Sequence, residues 1–467
     1  MDLLEELCLL PGTDTDSHAR FACLLVGQPV GRVGLGRLAG LDERVVWCYE
    51  MIGVGEFEAK GCLICCIETR RSLGHVVPRR QGVRQDGKMR RMGSRVVALA
   101  DVDAPFIDRW RALANRPDTT PNPFIDVDFL RPAAAFLPEA KGMRLLVGED
   151  HGDLMWLMPL VPASHMGGVP VLPGLRNFFE TNPLGQPLIV AGQESAASRS
   201  LLRYLSDNRR AFWLRLVMLD ADDKFARSLI EAAGHVFVDL GARGVVVRRP
   251  EPTYLSGHKN MKHELRRLRR RFEESEGETL DVVDCSADPH AVDDFLALEA
   301  SGWKGRVGSG FAMRPGHAEF LKQMCGNFRA SGRLQLWSLR AGDQNLAMIL
   351  ILAANDTLFC LATSFNEGYA RLSPGLQLEV ECFQLFHDQP QFQMMDFCAD
   401  PGNAVANRLC PDRRSLINVT IGSGPLGRAI VSLAPAGRRL MGPSYPGVAH
   451  SGIGRFLEGL KTGSRKA

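Results

Sequence analysis

The chain has no apolar run long enough to cross a bilayer. Its longest runs, such as residues 346–354, fall far short of the about 20 residues that a spanning helix needs. It also lacks a strong charge of either sign. The net charge is +3 over 467 residues, so no global field forces a nucleic-acid or membrane partner. The first residues, MDLLEELCLLPGTD, are acidic where a secretory signal would be basic, and a cytoplasmic protein is expected. No Gly-x-Ser-x-Gly nucleophile elbow occurs. Gly31-x-x-Gly34-x-Gly36 is not followed by a helical pattern, so it is no dinucleotide fingerprint. Cys62-x-x-Cys65-Cys66 with His75 could be half of a zinc site, but no second ligand pair stands at good spacing and no metal is expected. His317 and His387 have no evident metal partners and are expected to be structural or exposed.

What remains is ordinary globular composition, 45% hydrophobic and 23% charged, with enough apolar material for more than one core. Residues 1–95 stand apart. They hold six of the twelve cysteines and many glycines, with nine Lys/Arg against one Asp between Arg70 and Arg95. Their apolar periodicity is poor. They are expected to be a poorly ordered extension, or a segment upstream of a start at Met89 or Met92. The six cysteines after residue 280 are scattered singly, as buried or free thiols of a reducing compartment would be.

From Val96 the pattern becomes regular. It predicts a helix at 106–114, a hairpin at 143–149 and 154–160, and a Pro/Gly-rich loop over 161–175. Strands near 187–191, 212–219 and 235–240 then alternate with helices at 196–208 and 222–233, which implies an α/β layer with a mixed sheet. A Pro/Ser/Gly junction at 249–257 precedes a strongly basic helix, 258–274. Met261, Leu265, Leu268 and Phe272 form its apolar stripe, and Lys and Arg cover the rest. That helix is either a solvated helix docked by one face or an arm facing RNA, an acidic membrane surface or coenzyme phosphates. Helices at 291–300 and 316–330 follow, then a hairpin at 334–339 and 346–352. The two hairpins lie about 191 residues apart and suggest a structural duplication. The predicted organisation is an extension 1–95, halves at 96–250 and 258–432, and a loose tail 433–467.

The stretch 356–387 carries the most chemistry. Residues 357–364 read as a strand and 366–372 as a polar loop. After Ser373-Pro374-Gly375, the residues Leu376, Val380, Phe383 and Phe386 follow helical spacing. A helix opening after a Gly loop presents free N–H groups and a positive dipole end, which suit a pyrophosphate. Many such joints bind nothing, so the feature needs company.

Company comes from five stretches: Trp110-Arg-Ala-Leu-Ala114 with Asn122-Pro-Phe124; the hairpin 145–160 with its closing Pro-Leu; Leu298-Glu-Ala-Ser-Gly-Trp-Lys-Gly305; Ser373-Pro-Gly375; and Asp396…Ala399-Asp-Pro401…Leu409-Cys-Pro-Asp-Arg-Arg414. In this order, over residues 100–430, they resemble the GNAT acyltransferases associated with cellulose and exopolysaccharide biosynthesis (CelD/BcsL type). Each piece alone is weak. The coenzyme loop is one residue longer than the general GNAT signature and ends in Leu376, and Cys410 stands where a bulky aromatic is expected. The resemblance implies two GNAT-like halves in tandem, as in Fem-type transferases, and an acetyl- or acyl-coenzyme A co-substrate.

Acyl transfer from a thioester to an amine needs the thioester placed, the amine deprotonated and the oxyanion stabilised. No covalent nucleophile is required. Arg371, Ser373, Pro374, Gly375, Leu376 and Gln377 are expected to hold the coenzyme. The end of the strand 357–364 could offer an N–H to the thioester carbonyl. Glu299 and Asp396 are the candidate bases, each equally readable as an exposed or ion-paired carboxylate. Trp303 is expected in the core or as a wall of the acceptor pocket, and Lys304 pairs with phosphate or with solvent. Cys360 and Cys382 are expected in the core. Three functions compete, in this order: an acyl-coenzyme A-dependent N-acyltransferase acting on a small-molecule or glycan-precursor acceptor; a non-catalytic accessory protein of polysaccharide biosynthesis; and a Fem-like transferase using aminoacyl-tRNA. Acceptor, acyl length and oligomeric state are not written in the sequence.

Overall fold

The protein is described by a computed structural model covering residues 32–36, 45–49, 93–166, 169–179, 184–247, 259–399, 406, 409–410 and 412–441. Cys62, Cys65, Cys66 and His75, the junction at 249–257 and the end of the chain after 441 lie outside these residues. The chain divides into units 1–63 and 64–467. In the first, β1 (Arg32–Gly36) and β2 (Val45–Tyr49) pair antiparallel, a hairpin where the sequence suggested little order.

The second unit opens with β3 (Gly93–Ala98), α1 (Ala104–Ala114), α2 (Val127–Phe136), β4 (Arg144–Asp150), β5 (Asp153–Met166), β6 (Val169–Asn177), β7 (Leu188–Ile189), α3 (Glu194–Asp207), β8 (Trp213–Asp220), α4 (Lys224–Ala232) and β9 (Val236–Val247). It continues with α5 (Lys259–Glu276), β10 (Leu280–Asp284), α6 (Ala291–Ser301), α7 (Trp303–Arg306), α8 (His317–Ala330), β11 (Leu334–Ala341), β12 (Gln344–Ala354), β13 (Thr357–Phe365), α9 (Pro374–His387), β14 (Met394–Asp396), β15 (Asp412–Gly422) and α10 (Gly424–Met441). Local chemistry sets several starts. Asp103, Asp126 and Asp223 each accept a backbone N–H at the head of α1, α2 and α4, as N-caps do.

All strands of this unit form one 13-stranded sheet, ordered β10-β11-β12-β13-β14-β9-β15-β8-β6-β5-β4-β3, with β7 on β5. The two halves repeat one plan. Each runs strand, two helices, three antiparallel strands, helix, strand. Each has one parallel pair, β6 with β8 and β13 with β14. The last strands are exchanged: β9, from the first half, pairs with β14, and β15, from the second, inserts between β8 and β9.

The halves also share a core. Phe124 meets Phe359 edge to face at 5.6 Å, and Phe129 meets Phe320 at 5.2 Å. Pro132 lies inside α2, so the carbonyl four residues earlier loses its helical donor. Asn327, from α8 of the other half, supplies one: its Nδ2 donates to Asp128 O at 3.2 Å. Arg333 donates to Asp126 Oδ2 (2.6 Å) and Asp128 Oδ2 (2.7 Å) across the same junction.

Two expectations fail. The loop at 161–175 is strand, the hairpin of β5 and β6. Its prolines are tolerated because β6 meets β8 only at Leu175 and Arg176, leaving much of one edge free of ladder bonds. Gly174 is required there, since a Cβ would lie 2.3 Å from the Trp213 ring. The chain beyond 433 is not a loose tail from its start, because α10 runs on to Met441; its Leu, Ala and Arg favour helix.

Candidate functional site

β13 and β14 pair in parallel for only three residues, from Thr357↔Met394 to Phe359↔Asp396. Beyond them β13 continues to Phe365 with no β14 partner. Its register with β12 skips Leu361 between Ile351↔Cys360 and Leu350↔Ala362. A bulge leaves the extra residue out of the ladder and re-aims the strand. Among the described residues the edge of β13 from Cys360 onward therefore has no strand partner on the β14 side, and Leu361 stands outside the ladder with β12.

The chain then makes a short helical turn, Glu367–Leu372, and passes through Ser373 at φ 51°, ψ 51°. α9 begins at Pro374 with no side-chain cap, so the first N–H groups of the helix face outward unanswered. Pro374 is buried and carries no N–H. The Gln377 amide bonds Ser373 O at 3.0 Å and its side chain bonds Leu372 O at 2.7 Å. Gln377 is thus turned inward to hold the loop, and the available donors are the amides of Gly375 and Leu376. A Cβ on Gly375 would lie 3.4 Å from the Phe365 ring, which places the helix start over the end of β13. Arg371 is exposed. The buried stripe of α9 is Leu378, Cys382, Phe383 and Phe386, whereas Leu376 and Val380 are only half-buried.

Glu299, Trp303 and Lys304 come together beside this opening. Glu299 is 3% exposed. Its Oε1 accepts from Lys304 Nζ at 3.0 Å and its Oε2 from Phe311 N at 2.6 Å. Lys304 Nζ also donates to Thr363 O on β13 at 2.9 Å. Trp303 N donates to Glu367 Oε1 at 2.5 Å, and Arg306 Nη2 to Glu367 Oε2 at 2.6 Å. Glu367 thereby ties the Trp-Lys-Gly turn to the loop before α9. A shallow recess of about 30 Å³ lies between Gly302, Trp303, Lys304 and residues 363–365, space for about one water. Both oxygens of Glu299 are engaged.

Asp396 does not join this group. It pairs with Phe359, four residues along β13 from Thr363, or roughly 13 Å at strand spacing. It is fully buried. Its Oδ2 accepts from Arg243 Nη2 (2.6 Å), Arg243 Nε (3.0 Å) and Arg414 Nη1 (3.0 Å), and its Oδ1 accepts from Cys398 N (2.8 Å). Arg414 Nε continues to Asp220 Oδ2 at 2.8 Å. Burial works to raise the Asp396 carboxyl, but the two guanidiniums outweigh it and hold it below the usual range. A carboxylate so clamped takes up protons poorly, and its surroundings are those of an anchor rather than a base.

A residue absent from the sequence reasoning stands on α9, within electrostatic reach of Cys360 on β13. Glu379 lies one turn after Gly375 on α9, half-buried, and burial pushes its carboxyl up to about 7. A Gly375/Glu379/Cys382 spacing, i, i+4, i+7, is the signal that would have placed it on the side of Gly375.

The corresponding opening of the first half is filled. The Asn177 carboxamide reaches across from the end of β6 to β8, donating to Val217 O (3.1 Å) and accepting from Val217 N (3.0 Å). Gly185 packs behind it, where a Cβ would meet Val217 O at 1.9 Å. Among the described residues no helix is long and apolar enough to cross a membrane, and no group of His, Cys, Asp and Glu could hold a metal ion.

Residues 259–404 match the family described as an acetyltransferase (GNAT) domain. No curated protein sequence matches the chain. Among solved structures, a conserved protein of unknown function from Bacteroides thetaiotaomicron aligns at 10% identity, covering 68% of this chain and 97% of that one, TM-score 0.44. FemX aligns at 8% identity over 62% of this chain and 86% of its own, TM-score 0.41. A tandem GNAT protein of the clavulanic acid biosynthesis pathway aligns at 13% identity over 71% and 99%, TM-score 0.34. At such identities and scores these likenesses carry no functional weight. The GNAT fold is generally served by an acyl-coenzyme A, and the uncapped helix start beside an open strand edge is compatible with one. The chain is an α/β protein of two tandem GNAT-like halves, the second of which matches the GNAT acetyltransferase domain over residues 259–404.

Proposed function

We propose that the second half binds an acyl-coenzyme A and transfers its acyl group to an amine or sugar-linked acceptor. The observation that carries this reading is the parting of β13 from β14 at the bulged Leu361, beside the uncapped start of α9. The amides of Gly375 and Leu376, with the exposed Arg371, would receive the pyrophosphate, and Ser373 sets the turn that aims them. The amide of Leu361, at the bulge, would face the thioester carbonyl, where a fixed donor lowers the cost of the developing oxyanion. Trp303 and Lys304 would wall the acceptor side, with Glu299 fixing Lys304. Asp396 would hold the strands in register instead of moving a proton. A role in cell-envelope polysaccharide biosynthesis rests on the sequence resemblance alone.

Calorimetric titration of the full chain with acetyl-coenzyme A and a longer acyl-coenzyme A tests the reading, beside Gly375→Trp. Saturable binding that the variant loses supports it, because an indole at 375 must cross the Phe365 ring and cover the helix start. A folded chain that binds neither thioester sinks it. The accessory and tRNA readings would then remain, and a salt-dependent shift of tRNA would separate them.

A further inference from the structure

Glu379 stands among three elements, half-buried on α9. α9 packs against β12 and β13. Across from it, Phe397, Ala406, Leu409 and Cys410 belong to the same apolar cluster as Leu378, Cys382 and Phe383, and the Phe383 and Phe397 rings lie 5.5 Å apart. Glu379 acts electrostatically on three thiols: Cys382 on α9, Cys360 on β13 and Cys410 on the far side. Among the described residues it has no hydrogen-bond or ion-pair partner. On the far side Arg413, which acts on Cys410, donates to Cys410 O and Asp412 O. Glu381 is paired with Arg269 of α5 at 3.3 Å, and Asp396 is held by Arg243 and Arg414. Among the described residues no cation acts on Glu379; burial does, and it already favours the neutral acid.

An ionised carboxylate survives in such surroundings only while water reaches it. Covering it with an apolar or amide-bearing arm removes that water and supplies no cation, and the free energy then favours the neutral acid strongly. Gly375, where the pyrophosphate would sit, is four residues away, about 6 Å along the helix axis. A chain leading from that point into the parting of the strands passes over Glu379.

We propose that Glu379 lines the path of the coenzyme's amide-bearing arm and binds it as the neutral acid, so that coenzyme binding takes up a proton. The inference rests on the coenzyme reading given above. In the neutral form the O–H of Glu379 donates to an amide carbonyl of the arm, and the remaining carboxyl oxygen accepts. Coenzyme affinity therefore falls as pH rises through neutrality, up to tenfold per pH unit once the free carboxyl is ionised.

The experiment titrates the full chain with acetyl-coenzyme A at pH 7.5 in phosphate and in Tris, whose protonation enthalpies differ, and repeats the titration from pH 6 to 8.5. The expected wild-type result is uptake of most of one proton per site and an affinity that declines above neutrality. Glu379→Gln lacks that uptake, so its affinity declines less above neutrality and its heat depends less on the buffer than the wild type's. The coenzyme's own phosphate titrates equally in both proteins and cancels in the comparison. Glu379→Met, of similar volume, separates loss of the acid from loss of packing: it abolishes the uptake and weakens binding at low pH. Binding without uptake, or uptake undiminished in Glu379→Gln, overturns the role of Glu379 and leaves the coenzyme site standing. Absence of binding by the wild type at every pH overturns both.

Discussion

Replacing Asp396 by Asn separates an anchor from a base. Four charges, Asp220, Arg414, Asp396 and Arg243, lie on the neighbouring strands β8, β15, β14 and β9. They span the place where the halves exchange strands. Asn is isosteric and leaves the cluster with one uncompensated positive charge. Arg243 and Asp396 are fully buried and Arg414 is 9% exposed. Breaking a buried ion pair from one side costs about 3–5 kcal/mol. The carboxyl of Asp396 lies below its ordinary value when folded. Its contribution is therefore fully present above the ordinary carboxylate range and is lost as pH falls through the lowered folded value. Urea unfolding at pH 7 is expected to show that loss in Asp396→Asn, and the gap to wild type is expected to close in strong acid. Coenzyme binding, measured where both proteins remain folded, should change little. A variant within about 1 kcal/mol of wild type at pH 7 that nonetheless abolishes acyl transfer would refute the anchoring argument and return Asp396 to the chemistry.

Glu379 should act on stability with the opposite sign. Its folded carboxyl lies at about 7 against an ordinary 4.5, so the native state loses stability as pH rises between those values. The loss is about 3 kcal/mol at most, less where solvent screens the group. Glu379→Gln is expected to be more stable than wild type at pH 8 and equal to it at pH 4.5 by thermal denaturation; a flat difference contradicts the burial argument. Arg333→Ala strands Asp126 and Asp128, whose side chains are 2% and 8% exposed, and should cost about 3–5 kcal/mol. Arg333→Met should not recover the loss if charge is the cause. Gly316→Ala forces φ 76° on a residue with a Cβ, which would lie 2.0 Å from Phe136 O. It should lower stability by at least about 2 kcal/mol, and an unchanged melting temperature would contradict that packing.

The sequence carried the local elements and their duplication because both depend on short-range patterning. The hairpins at 144–166 and 334–354 and the helix after Ser373 fall close to where periodicity put them. What it could not carry was pairing at long range. β15 pairs with β9 and β8, strands about 170–200 residues earlier, and nothing in DRRSLINVTIG names those partners. The Asp and Arg-Arg of the closing segment were visible as residues. That they close on Arg243 and Asp220 depends on the exchange. The same limit separated Glu299 from Asp396: both are acidic and both precede a characteristic motif, but each is bound by groups from another element. Glu379 escaped notice for the complementary reason. Its environment is made by burial among elements that meet only in the fold.

The exchange of strands also bears on the difference between the two openings. β9 and β15 each complete the other half's sheet, so neither half can close alone, and each parting of strands inherits a neighbour from the other half. In the first half Asn177 bonds both backbone groups of Val217, and Gly185 lets the chain pack into the gap. A second tie secures the same strand: Met218 N donates to Asn418 Oδ1 on the exchanged β15 at 2.9 Å. The carboxamide does there what a ligand would do elsewhere, satisfying a strand edge that has lost its partner. In the second half the equivalent edge beyond Phe359 has no such side chain among the described residues, and Glu379, which acts on Cys360 there, has no bond among them either. If the first half is a sealed copy that braces the second, Asn177→Ala should loosen β8 and lower stability while leaving coenzyme binding to the second half intact. A loss of binding that exceeds the loss of stability would instead make the two openings parts of one site.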